Sequence, residues 1–442
     1  MKSVALAIEQ RTPHGIASGI SRLITTGDLA PGDRLPTVRE LASDLGISPA
    51  TVSHAWQTLA AAGLITSRGR SGSFVRSLPR EWLPRRYQEL DGAQDAALDL
   101  SRGTPDPALL PALGPVLANL RLHADTASYQ QKPDIPELHN LLRSTWPSPV
   151  ESITVTNGAL DAIDRAFAVL VRYGDRVVVG NPTFAPFFDL IDSYGLEAIG
   201  VPVDEYGMRP SEFAAALGSN PSIVLMQTRS HNPTGSSLSQ ARADELATIL
   251  KRSRTATSTI VIEDDHSGAI SSAPDLTLAT IVPERVLHVR SFSKSHGPDL
   301  RIGALGGPRA LVDQVVARRL LGPGWTSRTV QAILHALLTD PVAVGQVESA
   351  RVVYGERRAA IVTELARLGV HLPLGDGINA WLPVAEERAA IVQLAAAGIR
   401  VAPGALFQLG DQPPHVRVTV GVVPVESAQF VAGALAAAAV ER

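Results

Sequence analysis

Ser291-Phe292-Ser293-Lys294-Ser295-His296-Gly297-Pro298-Asp299-Leu300-Arg301 is the stretch on which the reading of most of this chain turns. Its centre is one of only four lysines (Lys2, Lys132, Lys251 and Lys294) among 40 basic side chains, and all the others are arginines. An amine can lose its proton and condense with an aldehyde, whereas a guanidinium stays charged and cannot. A chain this biased towards arginine has kept an ammonium where arginine could not replace it. Flanking hydroxyls at Ser291 and Ser293, with Arg301 beyond, point to a phosphorylated aldehyde, and pyridoxal phosphate is the candidate.

Outward from Lys294, the chain from residue 99 alternates short apolar runs with longer helical patterns. Ser152–Val155, Arg176–Val179, Ser222–Met226, Thr259–Ile262 and Arg285–Val289 read as buried strands. Leu160–Val171 and Gln240–Leu250 read as helices between them. This alternation predicts an α/β fold with a mainly parallel sheet and ligand groups at the carboxyl ends of strands.

Polar groups gather at those ends. Thr156-Asn157-Gly158-Ala159 leaves a strand and opens a helix, so its amides could hold a phosphate, although glycine turns of this kind are common. Asn181-Pro182-Thr183-Phe184 puts an aromatic ring where it could stack on a flat cofactor; a lone Phe is more often core. His231-Asn232-Pro233-Thr234-Gly235 places Asn232 to meet a phenolic oxygen, and Asn-Pro is otherwise a turn signal. Glu263-Asp264-Asp265-His266 ends a β-branched run, where buried acids are costly unless they meet a cation or a protonated nitrogen. Each signal is weak alone; their order around Lys294 is specific.

At 442 residues the chain has room for two or more domains. No apolar run reaches the length of a membrane span and no signal peptide is evident, so a cytoplasmic protein without a membrane partner is expected. The absence of cysteine excludes disulfides, cysteine zinc sites and thiol catalysis, and no metal is expected. Residues 1–77 carry +3 and the remainder −6, weak support for a polyanion partner at the N-terminus.

Within 1–77, Ile16, Ile20, Leu23 and Ile24 share a helical face. Thr37-Val38-Arg39-Glu40 reads as a capping box, and Ser48-Pro49 opens a third helix after a Gly46-Ile47-Ser48 turn. That third helix presents Ala50, Thr51, Ser53, His54 and Gln57, small or hydrogen-bonding groups suited to phosphates and base edges. Leu64–Ser67 and Ser73–Val75 then read as a hairpin whose tip, Arg68-Gly69-Arg70-Ser71-Gly72, is basic. Residues 78–98, rich in proline and charge, read as a linker.

Two resemblances follow from these motifs. The run from Gly27 through Pro31-Gly32-Asp33-Arg34-Leu35-Pro36-Thr37-Val38-Arg39-Glu40-Leu41 to Gly72-Ser73-Phe74-Val75 resembles the GntR family of winged helix-turn-helix transcription factors over residues 8–76. It implies a double-stranded DNA operator as partner, with Arg39, Thr51, Ser53, His54, Arg68 and Gly72 as contacts. Residues 99–440 resemble the fold-type I aminotransferases, from Gly103-Thr104-Pro105-Asp106-Pro107 to Arg417. This second resemblance implies a PLP-dependent transferase domain in which Lys294 forms the Schiff base and Asp264 pairs with the pyridine nitrogen. Asn232 would meet the phenolic oxygen and Phe184 would stack on the ring. Gly158, Ala159, Ser291, Ser293 and Arg301 would hold the phosphate, joined by Tyr129 from a partner subunit, so a homodimer is implied. Arg417 would clamp the carboxylate of an amino compound. His266 stands where relatives have a tyrosine that reaches the same phenolic oxygen, which puts efficient transamination in doubt.

The layout, a DNA-binding domain over 1–77, a linker over 78–98 and an aminotransferase-like domain over 99–442, resembles the MocR regulators. It implies a transcription factor, nucleoid-associated when bound to DNA, that senses pyridoxal phosphate or a small amino compound through an aldimine at Lys294. The alternative is an active aminotransferase with an appended DNA-binding domain, and a third reading makes the large domain a dimerisation scaffold only.

Overall fold

The computed structural model describes residues 4–5, 7–8, 10–61, 64–67, 72–76, 84–91, 96–120 and 128–439. Two compact units are present, one of Met1–Arg85 with Asp192–Gly195, the other of Arg86–Ile191 and Leu196–Arg442.

The smaller unit is built on α1 (Pro13–Thr26), α2 (Val38–Leu45), α3 (Pro49–Ala61) and a hairpin of β1 (Ile65–Ser67) and β2 (Ser73–Val75). Its local rules are all satisfied. Thr12 caps α1 with proline at its first turn, and Gly27 ends it at φ 84°. Both halves of the capping box of α2 form: Thr37 Oγ1 accepts from Glu40 N (3.2 Å), and Glu40 Oε2 accepts from Thr37 N (2.7 Å). Gly46 then takes φ 64°, which turns the chain into α3. Ile16, Ile20, Leu41, Leu45, Val52 and Trp56 meet in one core with Ile65 and Val75. Arg34 also bridges to Phe74, so a third chain segment lies against the hairpin. The predicted DNA contact Arg68 lies outside the described residues.

The larger unit carries an eight-stranded sheet: β3 (Ser152–Thr156), β4 (Arg176–Asn181), β5 (Glu197–Asp204), β6 (Gly207–Met208), β7 (Ile223–Met226), β8 (Ile260–Asp265), β9 (Val286–Ser291) and β10 (Gly303–Gly307). The spatial order is β3-β10-β9-β8-β7-β4-β5-β6. Neighbours from β9 to β5 are parallel; β10 runs antiparallel to both β9 and β3, and β6 antiparallel to β5. Helices α5 (Ala159–Leu170), α6 (Ala185–Ser193) and α7 (Gln240–Arg252) follow β3, β4 and β7. A long helix, α8 (Pro341–Arg367), leads to a three-stranded sheet of β11 (Ala380–Pro383), β12 (Ala402–Pro403) and β13 (His415–Val418), packed against α9 (Ala428–Ala438).

Inside the stretch 78–98, where no periodicity is visible in the sequence, Arg85–Asp91 forms the helix α4. Its Arg86 pairs with Asp189 at 3.2 Å and lies 4.8 Å over the Phe188 ring. Among the described residues no single helix is long and apolar enough to cross a membrane.

Candidate functional site

Strand ends bring the site together. Lys294 sits in the turn after β9, half-buried, with its Nζ donating to the Gly103 carbonyl at 2.5 Å. Burial, and then the positive charge of Arg417, lower its ammonium to about 8, while Asp264 acts against both. Asp264, near the end of β8, is buried. Desolvation raises its carboxyl to about 7. Its Oδ2 accepts from Gln227 Nε2 at 2.9 Å, and its Oδ1 has no hydrogen-bond partner. Asn232 is also buried, and its backbone N–H donates to Gln227 Oε1 at 2.8 Å. Gln227, itself 5% exposed, thus ties the acid to the asparagine with one amide. In the sequence Gln227 is marked only as a polar residue directly after the all-apolar strand β7.

A cup for an anion lies at the start of α5. Gly158 takes φ 100°, and Arg301, itself left-handed at φ 46°, sets its Nη2 3.3 Å from where a side chain on Gly158 would begin. A Cβ on Gly303 would lie 2.9 Å from the Gly158 carbonyl carbon and 3.0 Å from Ala159 N, so only glycine lets β10 approach this turn. Ser291 is the register partner of Gly303 across β9 and β10, which sets the Ser291–Ser293 turn beside this helix start, and Ser291 Oγ accepts from Ser293 N at 3.3 Å.

Arg417 on β13 is 1% exposed. It donates to the Ser101 carbonyl, reaches Asn232 Oδ1 at 3.5 Å and lies 4.8 Å over the Phe407 ring, with Nε unpartnered. Burial pulls its guanidinium down to about 9, with the charge of Asp99 acting against it, and the group keeps its proton at neutral pH. Phe184 is half-buried with its ring edge-to-face on Phe187 at 5.3 Å.

Two predicted residues are placed differently from the rest. His266 Nε2 donates to the Ser230 carbonyl at 2.8 Å, and burial together with the Lys294 charge lowers the ring to about 4, so it is neutral. Its proton is therefore used on the backbone. Tyr129 is 88% exposed and its ring contacts Trp325 at 6.2 Å, so it does not join the site within its own chain.

Behind Asp264 lies an ionic cluster that the sequence reading does not anticipate. Arg229 holds Asp265 bidentately (2.8 and 2.7 Å), and His288 Nδ1 donates to Glu263 at 3.0 Å. Asp265, Asp275 and His288 bring ligand-type atoms within 4.8 Å of one another, with the guanidiniums of Arg229 and Arg290 pairing at Asp275.

The residues fit a phosphorylated pyridine aldehyde. The unpartnered Asp264 Oδ1 suits a protonated ring nitrogen, the desolvated Lys294 amine suits an aldehyde, and the Gly158–Arg301 cup suits a phosphate.

In the smaller unit, Arg39 and His54 are exposed, while Thr51, Ser53 and Gly72 are half-buried. Thr51 is held by Ser48, whose Oγ accepts from Thr51 N at 3.2 Å.

Comparison with known proteins agrees with both units. The family described as aminotransferase class I and II matches residues 97–433, and the bacterial regulatory proteins of the gntR family match residues 14–75. The vitamin B6 salvage pathway transcriptional repressor PtsJ of Salmonella typhimurium is 34% identical, over 94% of this chain and 96% of its own. The pyridoxine biosynthesis transcriptional regulator PdxR of Corynebacterium glutamicum is 27% identical, over 88% and 87% respectively. Kynurenine aminotransferase of Pyrococcus horikoshii superposes with a TM-score of 0.70 at 21% identity, over 82% of this chain and 94% of its own, which shows the shared fold. The chain belongs to the aminotransferase class I and II family and, with its gntR-family DNA-binding domain, is a transcriptional regulator of the MocR type whose cofactor is pyridoxal phosphate.

Proposed function

We propose that this regulator changes its hold on an operator when pyridoxal phosphate, or an amino compound meeting it, occupies the site around Lys294. The observation that carries the proposal is the pairing, in one chain with a helix-turn-helix, of a desolvated amine at Lys294 and a buried Asp264 oxygen without a partner. When bound, pyridoxal phosphate supplies an aldehyde that bonds amines and a ring that draws electrons. The protein's part is to present a neutral amine. At pH 7.5 an ordinary lysine is neutral in about one molecule in a thousand. With its ammonium at about 8, roughly a quarter of Lys294 would be neutral there.

In this reading Asp264 holds the ring nitrogen, Asn232 the phenolic oxygen, and Phe184 the ring face. Gly158, Ala159, Ser291, Ser293 and Arg301 hold the phosphate, and Arg417 receives the carboxylate of an effector. His266 spends its proton on Ser230, so the hydrogen bond a tyrosine would give the phenolic oxygen is not supplied from this position. That weighs towards sensing over turnover. The exposure of Tyr129 suits a role in the other subunit of a homodimer. Arg39, Thr51, Ser53, His54, Arg68 and Gly72 contact DNA, with the chain at work in the cytoplasm on the nucleoid.

For binding at Lys294 to change DNA affinity, the ligand must favour one arrangement of the dimer over another. The test is fluorescence anisotropy on a duplex selected from random sequence by the full-length protein, titrated with and without pyridoxal phosphate and with candidate amino acids. A ligand-dependent shift in affinity is expected. Identical binding under all conditions would refute the sensor reading.

A further inference from the structure

A second cavity, of about 600 Å³, opens on the larger unit and includes none of the residues assigned to the cofactor. Its walls are the β5–β6 turn with Glu205 and Tyr206, the segment His371–Gly375, and Trp381 and His415 of the three-stranded sheet. Thr234 and Ser236 line it as well. The volume falls within the range of small-molecule sites, and the lining joins apolar and aromatic surface to a few polar groups: the Thr234 and Ser236 hydroxyls, two acids and two histidines.

Three features define what it would take. First, large apolar side chains stay exposed at a concave place: Tyr206 is 46% and Leu374 57% exposed. Trp381 stacks on His415 at 4.8 Å and 7°, which gives the wall a flat aromatic surface. Second, among the described residues no lysine or arginine lines the cavity, whereas Asp204 and Glu205 do. Arg242 packs 5.9 Å from Tyr206 but is held by both oxygens of Asp204 and by the Gly207 and Met208 carbonyls. A phosphate or carboxylate would find no permanent cation here, only the imidazoles of His371 and His415, in contrast to the Arg301 and Arg417 site. Third, the cavity backs onto the cofactor loop. Thr234 Oγ1 bonds His231 Nδ1 and Ser236 Oγ, each at 2.9 Å, two residues beyond Asn232. Trp381 is the register partner of Arg417 across β11 and β13.

We propose that this cavity is a second small-molecule site, which takes a flat aromatic ring bearing hydroxyl or ammonium groups and lacking phosphate and carboxylate. A ligand there would press on the strand carrying Arg417 and on the loop carrying Asn232, so occupancy of the two sites would be coupled.

Pyridoxine is a suitable probe: it has the ring and hydroxyls, and no amine or aldehyde to react at Lys294. Isothermal titration of pyridoxine into full-length protein saturated with pyridoxal phosphate should show one saturable site per chain, with the visible absorbance of the bound cofactor still at full amplitude. Tyr206→Ala, at the exposed lip, and Trp381→Ala should each weaken binding about tenfold, with cofactor absorbance as the folding control. Pyridoxine 5′-phosphate should bind far more weakly. Absence of saturable binding in the millimolar range, binding that survives both substitutions, equal binding of the phosphate ester, or loss of cofactor absorbance would each overturn the proposal.

Discussion

Replacing Gln227 with leucine should loosen the cofactor without touching any residue assigned to hold it. Gln227 is buried, and its amide makes two bonds, 2.9 Å to Asp264 Oδ2 and 2.8 Å from Asn232 N. Leucine has similar volume and can make neither. Each buried group left unpaired costs about 1–3 kcal/mol, and the Asp264 end is the stronger because the acceptor is charged. Burial already raises Asp264 to about 7, with Gln227 holding it down, so removal of the amide moves it further up. At pH 7.5 the variant would keep the proton on Asp264 and lose the anion that a protonated ring nitrogen needs. With a tenfold change for every 1.4 kcal/mol, affinity for pyridoxal phosphate should fall roughly 10- to 100-fold. Absorbance titration of wild type and Gln227→Leu at pH 7.5 and 8.5 measures this. The ratio of the two affinities should narrow at the higher pH, where Asp264 ionises again. Unchanged DNA binding without cofactor serves as the folding control. A ratio near one at pH 7.5 would refute the reasoning.

Three further predictions concern other groups. Arg417→Gln removes the charge that helps depress Lys294, so the pH midpoint of cofactor attachment, followed by visible absorbance, should move upward, and any effector that needs its carboxylate clamped should lose its effect. His296 is buried and held at about 4 by burial, below its unfolded value near 6.5. Its contribution is therefore present above pH 6.5 and lost as pH falls through about 4, so His296→Gln should gain on wild type by on the order of 1 kcal/mol per pH unit across that window, read from urea unfolding at several pH values. Thr37→Ala removes one half of the capping box on α2 and should cost about 1 kcal/mol, seen as weaker operator binding by the full chain at raised temperature.

The two-unit plan was legible because its signals are local. Thr37 with Glu40, Gly46, and the apolar periodicity of α1 to α3 are each decided within a few residues, and the helix ends fall where those residues place them. The same holds for β3, β4, β7, β8 and β9, whose buried β-branched runs announce themselves. Gly303-Ala304-Leu305-Gly306-Gly307 does not read as a strand, since three of its five residues are glycine. It is one because its neighbours come so close: a side chain at Gly306 would lie 2.6 Å from the Trp146 ring, and one at Gly303 would meet the turn that starts α5. Gln227, the Arg229–Asp265 pair and the proton of His266 are matters of tertiary contact, for which spacing carries no signal. The short helix Arg85–Asp91 is held by Arg86 on Asp189, a partner 103 residues away.

If occupancy at Lys294 sets DNA affinity, the effect must pass through that amine. This is tested most directly by anisotropy of a selected operator duplex with wild type and Lys294→Ala, each with and without saturating pyridoxal phosphate. A cofactor-dependent shift is expected in wild type and should disappear in the variant, while binding without cofactor is the same for both. A shift of equal size in Lys294→Ala, or no shift in wild type, would contradict it.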